Sequence, residues 1–127
     1  MLIRRLKDCE AFVAGDDSLL RELLHPDKAN VPIRYSLAHA MVPAGAHTRL
    51  HRLTTTEVYY ILEGTGRMHI DGREEEVAAG SAIYIPPGSV QRICNTGSTD
   101  LSFLCIVDPA WRASEEEVLE GPPSHAN

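Results

Sequence analysis

Long apolar runs are missing from this chain of 127 residues. None approaches the roughly 20 residues needed to span a bilayer, so no membrane helix is expected. The start, MLIRRLKDCEAF, carries charges but no apolar segment of the secretory kind, and a cytoplasmic location is expected. Cysteine is scarce. Cys9, Cys94 and Cys105 are an odd number at wide, irregular spacing, which excludes a disulfide framework and a C-x-x-C zinc motif. Cys94 and Cys105 fall in apolar, strand-like segments, where inert buried thiols are expected. Positive charge is also short, with 12 Lys and Arg against 18 Asp and Glu and a net charge of −6. That balance argues against a binder of nucleic-acid phosphates, which needs a cationic face.

What is present describes one globular domain. Hydrophobic residues are 43% and charged residues 24% of the chain, and its length is enough to bury a core without staples. Two acidic runs, Glu74-Glu75-Glu76 and Glu115-Glu116-Glu117, read as a solvated turn and a solvated tail. A short strand is expected over Leu2 to Leu6. Asp16-Asp17-Ser18 ahead of Leu19, with His25 and Pro26 closing, fits a short capped helix, with a strand as the alternative.

From residue 33 the pattern becomes one of strands. They are expected at Ile33–Val42, Thr48–Leu53, Glu57–Leu62, Gly66–Ile70, Glu75–Ala78, Ala82–Ile85, Val90–Cys94 and Leu101–Val107, with Asp71-Gly72 as a hairpin turn. Short strands at intervals of about 8–12 residues indicate an all-β sandwich or barrel. After Pro109 a helical turn or two is expected around Ser114 to Leu119, with Ser114 and Glu117 as its capping box, and the last residues, GPPSHAN, read as disordered. The chain is expected to form a single domain over 1–127, with a barrel core at 33–108, an N-terminal extension at 1–32 and a tail at 109–127.

Two segments carry the chemistry. The first is Gly45-x5-His51-x-Leu53-x3-Glu57-x6-Gly64, and the second is Gly80-x5-Pro86-x-Gly88-x2-Gln91-x3-Asn95. A small barrel points alternate side chains inward, so His51 at the end of one strand and Glu57 at the start of the next face one end of the cavity. Gln91 enters from another strand. Three polar side chains would converge in an apolar mouth, the anatomy of a small-molecule site. Tyr59 and Ile61 share the parity of Glu57 and should line the cavity, whereas Tyr60 and Leu62 face outward. Imidazole and carboxylate suit Zn, Mn, Fe, Co or Ni, with an amide oxygen as a weaker donor. The same three side chains also make sense as a metal-free cluster that satisfies its own hydrogen bonds.

In spacing, both segments resemble the two signature motifs of the cupin superfamily, over roughly residues 33–108. The resemblance is to small single-domain cupins and implies a double-stranded β-helix, or jelly-roll barrel. It implies that the four ligand positions of the family fall on His51, Leu53, Glu57 and Gln91. Leu53 stands where the motif has its second histidine and Gln91 where the later histidine would be, so the metal set is incomplete. His47 and His39 are the nearest candidates to restore it; His47 reads as a surface residue, and His39 points in or out. His25 and His69 read as surface or capping residues, and His125 belongs to the tail. The resemblance further implies a homodimer, with the N-terminal strand as an exchange element. It also implies a small-molecule ligand and a divalent-metal enzyme acting on an oxygen-rich organic substrate, of dioxygenase, decarboxylase, isomerase, lyase or cyclase type. Alternatives are a binding or sensory module without turnover, and a metal-free isomerase or cyclase with Glu57 or His51 as general base.

Overall fold

The computed structural model describes residues 1–120. The expected disorder of GPPSHAN and the place of His125 lie outside the described residues. Eleven strands accompany a 3-10 turn at Leu6–Asp8: β1 (Phe12–Val13), β2 (Leu19–Leu24), β3 (Ser36–Val42), β4 (His51–Leu53), β5 (Thr56–Glu63), β6 (Thr65–Ile70), β7 (Arg73–Ala78), β8 (Ala82–Ile85), β9 (Gln91–Asn95), β10 (Leu101–Asp108) and β11 (Glu116–Val118). They form a six-stranded sheet in the order β1-β2-β3-β10-β5-β8 and a five-stranded sheet in the order β11-β4-β9-β6-β7, with every pairing antiparallel. The all-β jelly-roll expectation holds, and among the described residues no helix is long and apolar enough to cross a membrane.

Alternation builds the core. Along β5, Glu57, Tyr59 and Ile61 are buried while Tyr60 and Leu62 are exposed; along β9, Gln91, Ile93 and Asn95 are buried. Ile61, Ile85, Leu101 and Phe103 from the six-stranded sheet meet Leu53, Met68 and Ile93 from the other in one cluster. Tyr59 and Phe103 pack with ring centroids 4.4 Å apart.

Three local expectations are corrected. Leu2 to Leu6 forms no strand; the first pairing is Phe12↔Leu20 and Val13↔Leu19. Residues 19–24 are a strand, not a capped helix. The Asp16 carboxylate accepts bonds from the Ser18 amide at 3.0 Å and the Ser18 hydroxyl at 2.7 Å. That is a two-residue Asp turn, and it uses the same donor-acceptor chemistry that an N-cap would. The turn launches β2 into register with β3, Leu19 opposite Met41 and Arg21 opposite His39. After Pro109 a single 3-10 turn, Ala113–Glu115, leads into β11, which pairs with β4; no capping-box bond forms at the turn. Tertiary pairing thus outcompetes weak local helix signals at both ends of the chain.

His25 is buried rather than superficial. Its Nδ1 accepts the Asp27 amide at 3.0 Å and its Nε2 donates to the Trp111 carbonyl at 2.7 Å, which ties the extension to the tail. Asp27 adds a bidentate pair with Arg112 at 2.9 Å.

The Asp71-Gly72 turn has positive φ at both residues, 49° and 81°, as a type I′ hairpin requires. Gly64, at φ 90°, is under a second constraint, because a Cβ there would stand 2.8 Å from the Asp100 carbonyl oxygen. At Gly72 an added Cβ meets nothing within 4 Å. Gly64→Ala should therefore cost about 3 kcal/mol in urea unfolding, strain plus overpacking, and Gly72→Ala about 1 kcal/mol, strain alone. Equal losses at the two sites would show that the close approach at Gly64 carries no energy.

Candidate functional site

A cavity of about 270 Å³ opens between the sheets at one end of the barrel. Its walls are mainly apolar, with Leu20, Ala38, Ala40, Leu53 and Val107 among them, and its polar groups come from several parts of the chain. β4 supplies His51, β5 supplies Glu57 and Tyr59, the loop before β2 supplies Asp16, and β11 supplies Glu116.

His51 is fixed by its own backbone. Its Nδ1 lies 2.6 Å from the Arg49 carbonyl oxygen, and a carbonyl only accepts, so Nδ1 carries the proton. Nε2 then holds a free lone pair, 3.7 Å from Oδ2 of Asp16. The imidazole is 2% exposed. This arrangement keeps one tautomer and aims the basic nitrogen at a carboxylate inside the cavity.

Glu57 sits in a closed relay. The Tyr59 hydroxyl donates to Gln91 Oε1 at 3.2 Å, Gln91 Nε2 donates to Glu57 Oε1 at 2.6 Å, and the Cys105 thiol donates to Glu57 Oε2 at 2.8 Å. Burial pushes the Glu57 carboxyl up from its ordinary range, opposed by the bonds from Cys105 and Gln91 and by the nearness of His51. Burial, then the charge of Glu57, pushes the Cys105 thiol and the Tyr59 phenol well up, so both stay protonated as donors. Glu116 is raised by burial and then by the charge of Asp16, against the pull of His51 and a hydrogen bond with Trp111.

The expected residues therefore share one end of the barrel but play different parts. His51, Leu53, Glu57 and Tyr59 line the cavity. Gln91 lies opposite His51 in the β4–β9 register and is 0% exposed; it stands behind the wall and braces Glu57. Ile61 points inward but belongs to the core and not to the cavity wall. Neither spare histidine reaches the site. His47 is exposed, with Nδ1 on the Thr48 carbonyl at 2.8 Å. His39 is buried on the far face of the six-stranded sheet, beside Lys7, Arg21 and Glu63. Burial, then the Arg21 charge, lowers its pKa, and its Nδ1 finds no partner among the described residues.

Sequence reasoning misses Asp16, Glu116 and Cys105 as members of the site. Asp16 reads as part of a helix cap and Glu116 as part of a solvated acidic run. Strand parity is the available signal for Cys105, since Phe103, Cys105 and Val107 alternate inward on β10.

The donor set does not fit a divalent metal as it stands. Both oxygens of Glu57 and both ends of the Gln91 amide are engaged in the relay, and Leu53 contributes no donor. Among the described residues, no group of three or more His, Cys, Asp or Glu side chains is placed to hold a metal ion. Of the three expected ligands, His51 alone has a donor atom outside these hydrogen bonds, at Nε2.

Residues 38–107 match the family model of the cupin domain. This chain belongs to the cupin family. The protein MJ1618 of Methanocaldococcus jannaschii is 43% identical over 110 residues, covering 86% of this chain and 87% of that one. An oxalate-binding protein of Thermotoga maritima is 36% identical over 90 residues, covering 70% of this chain and 69% of its own. Among solved structures, the polyketide cyclase RemF of Streptomyces resistomycificus superposes with a TM-score of 0.78 at 24% identity, covering 96% of this chain and 87% of that one, a likeness of fold. Asp16 and Glu116 both lie outside the segment that matches the cupin domain. The matched segment supplies His51 and Glu57, and the residues flanking it supply Asp16 and Glu116.

Gln91→Ala should be the most damaging single change to the relay. It strands the Tyr59 hydroxyl and Glu57 Oε1 and leaves a cavity, a loss on the order of 3 kcal/mol in urea unfolding. Tyr59→Phe removes only the terminal bond and should cost about 1 kcal/mol. If Gln91→Ala is no worse than Tyr59→Phe, the relay does not brace Glu57.

Proposed function

We propose that this cupin binds a small organic molecule in the cavity and catalyses proton transfer on it, of the isomerase, lyase or cyclase kind. Nε2 of His51 is the general base, and the imidazolium so formed is the acid that returns the proton. The observation that carries this reading is the fixed tautomer of His51, with Nδ1 on the Arg49 carbonyl and Nε2 facing Asp16 across the cavity. Asp16 is placed to stabilise the imidazolium once it forms. Glu57, closed in by Gln91 and Cys105, shapes the wall and adds negative potential.

The alternative is a divalent-metal enzyme of dioxygenase or decarboxylase type on His51, Glu57 and Gln91. It requires the relay around Glu57 to open. If the metal-free reading holds, purified untagged protein carries no stoichiometric metal, and added Mn, Fe, Co, Ni or Zn leaves its melting temperature unchanged. A stoichiometric ion that disappears in His51→Ala would overturn it. A ligand found by thermal-shift screening should exchange a proton with deuterated solvent on the enzyme, and His51→Gln should slow that exchange by about 10²–10⁴-fold. Binding with no exchange would leave a binding module.

We also propose that two copies associate through the outer face of the six-stranded sheet. Tyr60, Leu62 and Tyr84 are 44%, 38% and 61% exposed there, side by side on β5 and β8. A two-fold axis would lay this apolar patch on its own copy. Sedimentation equilibrium should give a dimer for the native chain and a monomer for the Tyr60→Glu/Tyr84→Glu double variant; a monomeric native chain would sink the idea.

A further inference from the structure

Proton transfer at His51 leaves the charge of the substrate open. We infer that the cavity takes a substrate carrying a positive charge, an organic onium group such as a quaternary or tertiary ammonium; this rests on the proton-transfer reading only for the site the two share. Asp16, Glu22, Glu57 and Glu116 lie on its walls, and among the described residues no Lys or Arg does. Glu22 is neutralised from outside, by Lys28 at 2.6 Å. The other three pair with no Lys or Arg among the described residues, and Asp16 faces His51. The nearby cations are committed elsewhere: Arg49 pairs with Asp17 at 2.8 Å, and Arg52 with Glu117 at 2.6 Å. The bonds that Glu57 and Glu116 receive come from neutral groups, the Gln91 amide, the Cys105 thiol and Trp111. His51, which faces Asp16 at 3.7 Å, is a single imidazole among these acids.

The cavity thus holds an excess of acidic groups, three carboxyls to one imidazole, inside low-dielectric walls, which is where a bound cation gains most. Its apolar lining has the matching form. Phe12, Tyr59, Phe103 and Trp111 all face the cavity, and aromatic faces attract onium groups at a lower desolvation cost than a metal ion or a primary ammonium would incur. Phe12, 42% exposed, stands at the rim. A dicarboxylate dianion of the kind the Thermotoga maritima relative is named for would meet three carboxylates here and no fixed cation.

Isothermal titration of the full chain with three probes tests the charge class. Choline carries the onium group, 3,3-dimethylbutan-1-ol is its neutral isostere, and oxalate carries the opposite charge. Choline should bind and raise the melting temperature, the isostere should bind at least about tenfold more weakly, and oxalate should not bind. Asp16→Asn and Glu116→Gln should each weaken choline by about tenfold, as expected for loss of one facing charge in a dry site. Near-ultraviolet circular dichroism checks that each variant keeps the native fold.

Equal affinity for choline and its isostere overturns the inference. So does oxalate binding, or the failure of both choline and benzyltrimethylammonium to bind. Binding is read without turnover, so the two proposals fail separately. Choline binding with no His51-dependent exchange on any ligand removes the proton-transfer reading and keeps this one. His51-dependent exchange on an anionic ligand does the reverse.

Discussion

The relay Tyr59–Gln91–Glu57–Cys105 is the constraint around which this end of the barrel is organised. It runs between the sheets, because Gln91 sits on β9 of one and the other three on β5 and β10 of the other. A buried carboxylate costs several kcal/mol to desolvate, and two hydrogen bonds to a charged group return about 1.5–3 kcal/mol each. Those magnitudes nearly balance, which is why burial still wins and the Glu57 carboxyl lies above its ordinary range. Remove any donor and the balance tips against a charged Glu57. The relay therefore fixes both where Glu57 points and how strongly the two sheets are coupled beneath the cavity.

With Glu57 occupied from behind, the free polar edge of the site belongs to His51 and to the two acids that approach from outside the barrel. Asp16 arrives because its carboxylate first closes a turn on Ser18, which leaves Oδ2 toward the imidazole. Glu116 arrives because β11 adds to β4, with Glu116 opposite Leu53. The same residues that hold the extension and tail in place also set the electrostatics of the pocket. A change in how the ends of the chain dock therefore changes the charge that a ligand meets.

Much of the barrel is legible in the sequence, because its signals are local and periodic. Alternation along β5, the positive-φ turn at Asp71-Gly72 and the glycine and proline punctuation each specify a strand or its end without reference to distant residues. His51 and Glu57 are legible for the same reason, since their spacing places them at adjoining strand ends. What escapes is everything that depends on pairing across the chain. Leu19 to Leu24 has no preference strong enough to choose between helix and strand, and the choice is made by β3. An acidic run such as Glu115 to Glu117 looks solvated until β11 pairs and turns Glu116 inward. Gln91 reads as a ligand because its position along the chain is right; that its amide is used up at both ends is visible only once Tyr59 and Glu57 stand beside it.

Two of the cavity acids lie outside the segment that matches the cupin domain, which gives a physical reason why chains that share the barrel need not handle similar molecules. The matched segment, residues 38–107, contains His51 but only one of the three cavity acids that pair with no Lys or Arg among the described residues. A chain with the same barrel and a neutral residue in place of Asp16 or Glu116 would keep the imidazole and lose much of the cavity's negative potential. On the proposed reading, the barrel supplies the base and the docked ends supply two of the three acids that a ligand meets. The ends are clasped to each other, through His25 on the Trp111 carbonyl and Arg112 on Asp27, and both are tied to the segment that carries His51, through the Arg49 amide on the Asp16 carbonyl and Glu116 opposite Leu53. A change of charge at Asp16 or Glu116 would alter what a ligand meets in the cavity and leave the Arg49 carbonyl that orients His51 in place.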